Sequence, residues 1–537
     1  MAKQFFVLGI GGTGMRCIES LIHLCAMGMF DDTDIHLLAL DTDKNNGNFA
    51  RLKEVKDAYL NVKSLDPAKR TANKDTFFSA NLKYYEFSPN YENKSTFKEV
   101  FNYGDTQYNE RSKSDLADLV FSNDVEEFNL RHGYRAQTHL GSMMMYHSII
   151  EAVQTPRNND LKRFLQSLIA ASSNGKSRVF ILGSVFGGTG ASSIPIIPQA
   201  ISKAASILSN GTADVLGNTF FGSTLLTAYF NFTLPSDAER AEQKIIATSD
   251  KFALNSQAAM MFYEDDMTVQ STYQKFYMMG TSGLDWNPMQ RNAAENKTIT
   301  GGEAQKNDSH YIELLAASAA LDFLNSDEST LQANKDNMET DYQYRCVNDA
   351  GKLEFQDFVG QERAEEFAKK FGMLTVSSIL CNNTEYDFFA SLQNGDTRIS
   401  GYEDVNVEQI KNLKNYFNLF HFMEADDSLL SEGWLRQLYR SAGQQDNFLF
   451  NAGIFTSQKR KELTKFDWNS KLFKDVGTAS DNCFKVPLLG NKFSSFKDCF
   501  IKIYANKDSN PSEALNNRLE QVIKQVYDTL TSLYQFK

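Results

Sequence analysis

Cysteine, proline and long apolar runs are all scarce in this chain. Its 537 residues include 6 cysteines, with no Cys-x-x-Cys pair among them, and 9 prolines. Scattered cysteines argue against a disulfide framework and are typical of reduced thiols, so we expect a cytoplasmic protein. No stretch of about 18 apolar residues is present, so the sequence predicts no membrane span. The short apolar start leads directly into a glycine-rich loop, which is not the pattern of a signal peptide.

Positive charge is also in deficit. Lysine and arginine total 55 against 67 acidic residues, which gives a net charge of −12 and argues against a general nucleic-acid or anionic-membrane binder. The 7 histidines include no His-x-x-x-His pair and no glutamate neighbour at metal spacing, so we predict no structural metal site. The length is sufficient for more than one domain with a full core.

Two glycine-rich loops are the most informative feature of the sequence. Gly9-Ile10-Gly11-Gly12-Thr13-Gly14 follows the apolar run Phe5–Leu8, and Phe186-Gly187-Gly188-Thr189-Gly190-Ala191 follows the apolar run Val179–Leu182. Each loop stands where a strand should turn into a helix, and the free amides of a helix N-terminus bind anions. Both loops contain Gly-Gly-Thr-Gly. The sequence therefore predicts that they form two walls of one nucleotide pocket.

The surrounding pattern favours an α/β fold with a parallel sheet. Residues 4–8, 14–28 and 35–41 read as strand, helix and strand, and the alternation continues to a strand at 275–279. Residues 44–130 are polar and irregular, and we interpret them as loops and an insertion. Residues 309–325 are apolar on most faces, which indicates a buried central helix.

The first loop alone fits another class of protein. Gly9, Gly11 and Gly14 make the Gly-x-Gly-x-x-Gly fingerprint of a Rossmann dinucleotide site, and Asp41 at the end of the second strand would bind the ribose. This hypothesis predicts an oxidoreductase that carries NAD(P) or FAD. It leaves the second glycine loop unexplained.

With the second loop included, the chain resembles the tubulin/FtsZ superfamily, as a divergent bacterial tubulin-like member. Gly187–Gly190 is similar to that family's signature loop, although Phe186 and Ser192 stand where the signature has glycine. The resemblance covers about residues 4–325, and other segments follow in the family's order. Those segments are Gly11–Arg16 for the first phosphate loop, Ala39–Asp43 for the Asn-Thr-Asp segment, Gly133–Ala136 for the terminal-phosphate loop, and Thr233–Arg240 for the ribose segment.

The resemblance also implies where the nucleotide base would lie. The family's central helix carries an aromatic that stacks on the base and a polar residue that reads its edge. Here His310 or Tyr311 would stack and Glu313 would accept hydrogen bonds from guanine. The predicted nucleotide-binding residues are Gly11, Gly12, Thr13, Arg16, Asp41, Asp43, Arg135, Gly187, Gly188, Thr189, Gly190, Glu239, Arg240, Tyr311 and Glu313.

The family's hydrolytic acids follow the central helix and act on nucleotide held by the next subunit. Asn334-Lys335-Asp336-Asn337-Met338-Glu339 resembles that Asn-x-Asp-x-x-[Asp/Glu] loop, which implies catalytic roles for Asp336 and Glu339. The alternative is an ordinary solvated acidic loop.

These observations predict a nucleotide-binding domain at residues 1–325 and an α+β C-terminal domain at 326–537 that ends in a long helix. The resemblance implies GTP or GDP with Mg²⁺, head-to-tail self-assembly into a filament, and GTP hydrolysis at the subunit interface. A second hypothesis is a non-hydrolysing nucleotide-binding scaffold or sensor in a bacterial defence system. In either case another protein would be recruited through the C-terminal domain.

Overall fold

A seven-stranded sheet forms the centre of the computed structural model, and all seven strands run parallel. The structure describes residues 2–102, 115–231, 237, 251–281, 287–288, 291–292, 297–298, 303, 305, 307–347, 355–382, 407–421, 433–441, 500 and 518–533. In chain order the strands are β1 (Lys3–Ile10), β2 (Thr33–Leu40), β3 (Asn81–Phe87), β4 (Ser177–Leu182), β5 (Thr219–Leu226), β6 (Tyr273–Thr281) and β7 (Asp341–Val347).

The strands lie in the order β7-β6-β5-β4-β1-β2-β3 across the sheet. The chain therefore starts in the middle, builds outward to β3, and then returns to build the other half from β4. Between β1 and β4 the direction of building reverses, and in open parallel sheets ligands bind at the carboxyl ends of the strands at this point. An α/β fold with a parallel sheet was predicted from the sequence and is confirmed.

Helices cover both faces of the sheet. They are α1 (Gly11–Ala26), α2 (Gly47–Lys63), α3 (Phe97–Phe101), α4 (Asn123–Glu127), α5 (Thr138–Gln154), α6 (Asp160–Ser173), α7 (Thr189–Ser193), α8 (Ile197–Leu208), α9 (Phe252–Asp265), α10 (Met267–Thr272), α11 (Tyr311–Asn325), α12 (Glu328–Asn337), α13 (Phe355–Val359), α14 (Gln361–Asn382), α15 (Val407–Phe420), α16 (Trp434–Ser441) and α17 (Arg518–Leu533). Residues 115–120 are also helical, and Pro67–Lys69 and Leu130–His132 form 3₁₀ turns. Two-residue strands pair Phe230–Asn231 with Asn287–Pro288 and Arg291–Asn292 with Lys297–Thr298.

Two hydrophobic cores sandwich the sheet. One lies under α1, α2 and α11, and the other lies under α5, α6 and α8. The strands read as continuous apolar runs because both of their faces are buried, as in β1, where Phe5–Leu8 are fully enclosed.

The predicted central helix is confirmed as α11. His310 caps its start, where the His310 side chain accepts from the Ile312 amide and the Glu313 side chain accepts from the His310 amide. Of its residues, all but Asp322 and Asn325 are buried. The run Leu314–Leu321 is apolar on every face because α11 contacts the sheet on one side and α1 and α13 on the other.

The segment at 44–130 differs from the sequence-based interpretation as loops and an insertion. It supplies α2 to one core and β3 to an edge of the sheet. The helix was missed because buried Phe49, Leu52 and Val55 alternate with charged residues, so its mean hydropathy is low. The strand was missed because four of its seven residues are half-buried, as an edge strand allows.

The chain beyond residue 325 continues the same architecture. β7 pairs with β6, so the sheet extends past the domain boundary predicted from sequence. Helices α13–α17 lie on the side of α1 and α11, where α15 and α17 contact α2. The long helix predicted near the end of the chain includes α17, whose Leu519, Val522, Val526 and Leu530 are buried.

None of the helices in the described ranges combines the length and apolar character needed to cross a bilayer.

Candidate functional site

The two glycine loops meet at the carboxyl edge of the sheet. The first follows β1 and opens α1, and the second follows β4 and opens α7. A Cβ placed on Gly11 would lie 3.5 Å from Thr189 Cβ and 3.8 Å from the Gly190 amide nitrogen. Gly11 has a φ of +68°, a conformation that glycine adopts without strain. No N-cap side chain bonds to the first turn of α1, where the amides of a helix lack partners within the helix.

A third segment completes the crevice. Tyr134 O accepts from the Gln137 amide, and the two residues between them, Arg135 and Ala136, have φ values of +45° and +62°. This tight turn lies against Gly188, where an added Cβ would be 3.0 Å from the Ala136 nitrogen and 3.1 Å from the Arg135 nitrogen. Glycine is therefore the only residue type that fits at position 188 without a shift of the backbone in the 133–136 turn. The Arg135 guanidinium lies over the Phe128 ring, 5.8 Å from its centroid.

The end of β2 supplies the polar side of the crevice. Thr42 Oγ1 lies 3.3 Å from Thr189 Oγ1 of the second loop. A Cβ on Gly133 would lie 3.5 Å from the same Thr42 oxygen. The second glycine loop thus lies within contact distance of the first loop, of Thr42 and of the 133–136 turn. The two glycine loops are neighbours, and their role as two walls of one nucleotide pocket stays a prediction.

Asp41 is the most perturbed acid of this edge. It is 4% exposed, and its Oδ1 receives only long hydrogen bonds, from Thr42 Oγ1 at 3.5 Å and the Asp43 amide at 3.4 Å. Its Oδ2 is buried with no hydrogen-bond partner among the described residues. Burial, with a smaller contribution from the charge of Asp43, raises the pKa of Asp41 to about 7. A carboxylate left in this condition favours a proton or a bound cation.

We expect Asp41→Asn to stabilise the ligand-free protein at high pH. The carboxyl group has a pKa near 3.8 when unfolded and about 7 when folded, so its stabilising contribution is complete below pH 3.8 and is lost as the pH rises through 7. The neutral amide of the asparagine variant does not titrate, so the variant avoids this decrease in the free energy of unfolding, which amounts to roughly 4 kcal/mol at most. Urea unfolding without nucleotide or divalent cation at pH 5 and pH 8 measures it. Wild-type and variant stabilities that change in parallel with pH would contradict the assignment.

Phe186 precedes Gly187, at the position where the tubulin/FtsZ signature used for comparison in the sequence analysis has its first glycine. Its side chain is buried against Phe230 and Phe252, with ring centroids 5.2 and 4.8 Å away. An aromatic cluster of Phe186, Phe230 and Phe252 therefore anchors the start of the second loop. Ser192, at the last signature glycine, donates from its hydroxyl to Thr189 O and closes the first turn of α7.

Arg16 and Glu313 contact each other rather than the open crevice. Arg16 Nε lies 2.5 Å from Glu313 Oε1, and the Tyr229 hydroxyl donates to the same oxygen at 2.7 Å. Glu313 Oε2 accepts from the His310 amide. Although burial lowers it, the contacts with Tyr229 and Glu313 raise the pKa of Arg16 above its ordinary value. Glu313 is fully buried, so a base could bond to it only if the surrounding side chains moved, and the role of Glu313 and Arg16 in base recognition stays a prediction.

The aromatic residues at the start of α11 are enclosed as well. Tyr311 is fully buried and its amide donates to Ser441 Oγ, while the ring of His310 lies 4.4 Å from that of Tyr311. Stacking of either ring on a base would require the neighbouring chain to open. Glu239 and Arg240, the predicted ribose contacts, lie outside the described residues.

Asp336 and Glu339 lie at the other edge of the sheet. The predicted loop is in part a helix, since α12 continues to Asn337, and both carboxylates are exposed. Asn334 Nδ2 donates to Gln274 O near the start of β6, and Lys335 Nζ donates to Thr219 O at the start of β5. Strands rise about 3.3 Å per residue, so roughly 20 Å of sheet separates these acids from the glycine loops. Within one molecule the two sets of residues cannot meet.

Two asparagines that the sequence analysis did not single out lie beside the first loop. A Cβ on Gly12 would be 3.1 Å from Asn48 Nδ2 and 3.6 Å from Asn46 Nδ2. The available sequence signal was weak: an asparagine at the start of a helix that follows a strand end. No group of three His, Cys, Asp or Glu side chains arranged to hold a metal occurs in the described ranges.

Comparison with known proteins does not assign the chain to a family. No protein-family model matches the sequence. No curated protein and no solved structure matches it significantly.

Proposed function

We propose that this protein binds a nucleoside triphosphate, GTP, at the carboxyl edge of its sheet and assembles head to tail, as in the tubulin/FtsZ superfamily. The observation that carries the proposal is the convergence of both Gly-Gly-Thr-Gly loops with Thr42 and the 133–136 turn. Backbone amides at uncapped helix starts bind phosphate oxygens, and two such loops side by side suit a chain of phosphates. The choice of guanine rests on the resemblance alone.

The acids of this edge support a divalent cation together with the phosphates. Asp41 Oδ2 is a buried carboxylate oxygen without a partner among the described residues, and Asp43 follows two residues later. Mg²⁺ takes oxygen ligands and is commonly held by one or two carboxylates plus the phosphates of its substrate. Asp41 and Asp43 would hold the ion, which would neutralise phosphate charge when bound.

The opposite position of Asp336 and Glu339 supports action between subunits. Both are exposed at the amino edge of the sheet, where they face away from the glycine loops of their own molecule. A contact between the carboxyl edge of one copy and the amino edge of the next would bring acids and nucleotide together. Such a heterologous contact repeats without closing and generates a filament. The two carboxylates would then position the attacking water.

A dinucleotide site is the second candidate, and the strand order favours it to some extent. The order 3-2-1-4-5-6 and the Gly9, Gly11, Gly14 fingerprint are those of a Rossmann domain with Asp41 at the ribose. Against it, a dinucleotide fingerprint accounts for the first glycine loop only and leaves the second loop, which lies beside Gly11, unexplained.

The first experiment identifies the nucleotide that the purified protein carries. Denaturation followed by anion-exchange chromatography against standards separates guanine and adenine nucleotides from NAD(P) and FAD. GDP or GTP supports the proposal. NAD(P) or FAD would replace it with the dinucleotide site, and an empty protein that binds neither added GTP with Mg²⁺ nor added NAD(P) or FAD would overturn both.

Hydrolysis between subunits has its own test. We expect Asp336→Asn combined with Glu339→Gln to bind GTP as the wild type does but to lose at least about 100-fold in turnover. Glu328→Gln, an exposed acid at the start of α12, is the matched control and should hydrolyse normally. Phosphate release and pelleting with GTP are the measurements. Normal turnover in the double variant would remove these acids from catalysis, and a wild type that binds but never hydrolyses would favour the scaffold.

Mixing two inactive variants tests the geometry directly. Gly188→Asp should lack nucleotide but keep its acids, whereas the Asp336→Asn, Glu339→Gln variant keeps its nucleotide site. An equimolar mixture should regain part of the activity if the acids of one copy act on the nucleotide of another. A mixture as inactive as its components would argue for catalysis within one subunit.

A further inference from the structure

Asn48 lies in the first turn of α2, directly beside the first glycine loop. Asn46 caps this helix by accepting from the Asn48 amide at 2.9 Å, which fixes where Asn48 lies. The Asn48 side chain is 2% exposed. A Cβ on Gly12 would be 3.1 Å from Asn48 Nδ2, so the carboxamide lies against the second residue of α1.

The orientation of that carboxamide is set by its surroundings. Asn48 Oδ1 accepts from the Asn307 amide at 3.0 Å, and because a backbone amide can only donate, the oxygen must lie on that side. The nitrogen therefore faces the glycine loop. Asn48 Nδ2 is buried and has no hydrogen-bond partner among the described residues. The neighbouring Asn46 Nδ2, in contrast, donates to Gln305 Oε1.

A buried donor without an acceptor destabilises a folded protein, and such groups are rare in native structures unless they have a role. Here the donor lies beside amides that no side chain caps, at the start of a long helix. Both features favour the same ligand, one with acceptor oxygens and negative charge. We propose that Asn48 Nδ2 donates a hydrogen bond to an oxygen of the nucleotide held at the first glycine loop, an inference that rests on the proposed function.

Asn48→Asp is the most direct test. The substitution keeps the shape and the oxygen that accepts from Asn307, but it replaces the donor with a negatively charged acceptor. We expect the affinity for a fluorescent GTP analogue with Mg²⁺ to fall at least about tenfold, as for loss of a hydrogen bond to a charged group. Asn45→Asp is the matched control, since Asn45 is exposed three positions away and should bind normally. Asn48→Ala removes the donor without adding charge and serves if the aspartate variant fails to fold.

The outcomes separate this proposal from the proposed function. Asn48 variants that bind within twofold of the wild type, while Gly188→Asp does not bind, would overturn the role of Asn48 and leave the pocket intact. A wild type that binds no nucleotide would overturn both. Competition by inorganic tripolyphosphate locates the acceptor: weaker competition in the Asn48 variants indicates a phosphate oxygen, and unchanged competition indicates an oxygen of the nucleoside.

Discussion

Gly188→Asp should abolish nucleotide binding, with a loss in affinity of at least about 100-fold. The Cβ would lie 3.0 Å from the Ala136 nitrogen, 3.1 Å from the Arg135 nitrogen and 3.3 Å from the Tyr134 carbonyl carbon. All three are backbone atoms of one turn, so the second loop and the turn must separate. The added carboxylate would also repel the phosphates. Titration with a fluorescent GTP analogue and Mg²⁺ measures the loss.

Two further variants divide that effect into its parts. Gly188→Asn has the shape of aspartate without its charge, so the difference between the two variants measures repulsion. Gly187→Ala adds a Cβ whose nearest neighbour is Ser184 Oγ at 3.6 Å, and it should fold as the wild type does. Circular dichroism establishes that each variant is folded. Wild-type affinity in a folded Gly188→Asp variant would remove the second loop from the pocket.

Breaking the buried ion pair between α1 and α11 should have the largest effect on stability. Arg16 is 3% exposed and Glu313 is fully buried, and they meet at 2.5 Å with Tyr229 bonded to both. In Glu313→Gln the guanidinium keeps its charge without a counter-charge. Removal of one partner from such a pair costs about 3–5 kcal/mol. The free energy of unfolding in urea is the measurement.

The double variant Arg16→Met, Glu313→Leu tests whether the unpaired charge is the cause. It removes both charges and fills the space with apolar groups, which often leaves stability near that of the wild type. Glu339→Gln makes the same change of side chain at an exposed acid and should leave stability unchanged. A Glu313→Gln variant as stable as the wild type would mean that Arg16 finds another partner.

The sequence predicted those features that depend on neighbours along the chain. Gly11, Gly12 and the Gly187–Gly190 loop follow apolar strands at once, and two strand-to-helix turns in a parallel sheet end at the same edge. The central helix was equally visible, because its apolar run has no polar face. What these features share is that a window of some fifteen residues contains the whole signal.

The features that were missed depend on distant partners. Glu313 meets Arg16 across 297 positions, so no local sequence pattern indicates that these two predicted nucleotide contacts form a buried ion pair with each other. Asn48 meets the Asn307 amide across 259 positions. No residue near Asn48 in the sequence indicates that its side-chain Nδ2 faces Gly12. Asp336 lies in the last turn of α12, which the sequence analysis interpreted as an acidic loop. The two are hard to distinguish in sequence because a solvent-exposed helix end and a loop are both rich in polar residues.

The contacts that α17 makes with the segment between α2 and β3 set an order of events during synthesis. Asn73 Nδ2 donates to Glu520 across 447 positions, and the Phe77 and Tyr527 rings lie 5.0 Å apart. At about 5–20 residues per second, the ribosome needs roughly 20–90 s to reach the second partner after the first. Throughout that interval the apolar surface that later contacts α17 is exposed on the nascent chain. We therefore expect the nascent N-terminal part of the chain to bind chaperones until α17 has been synthesised.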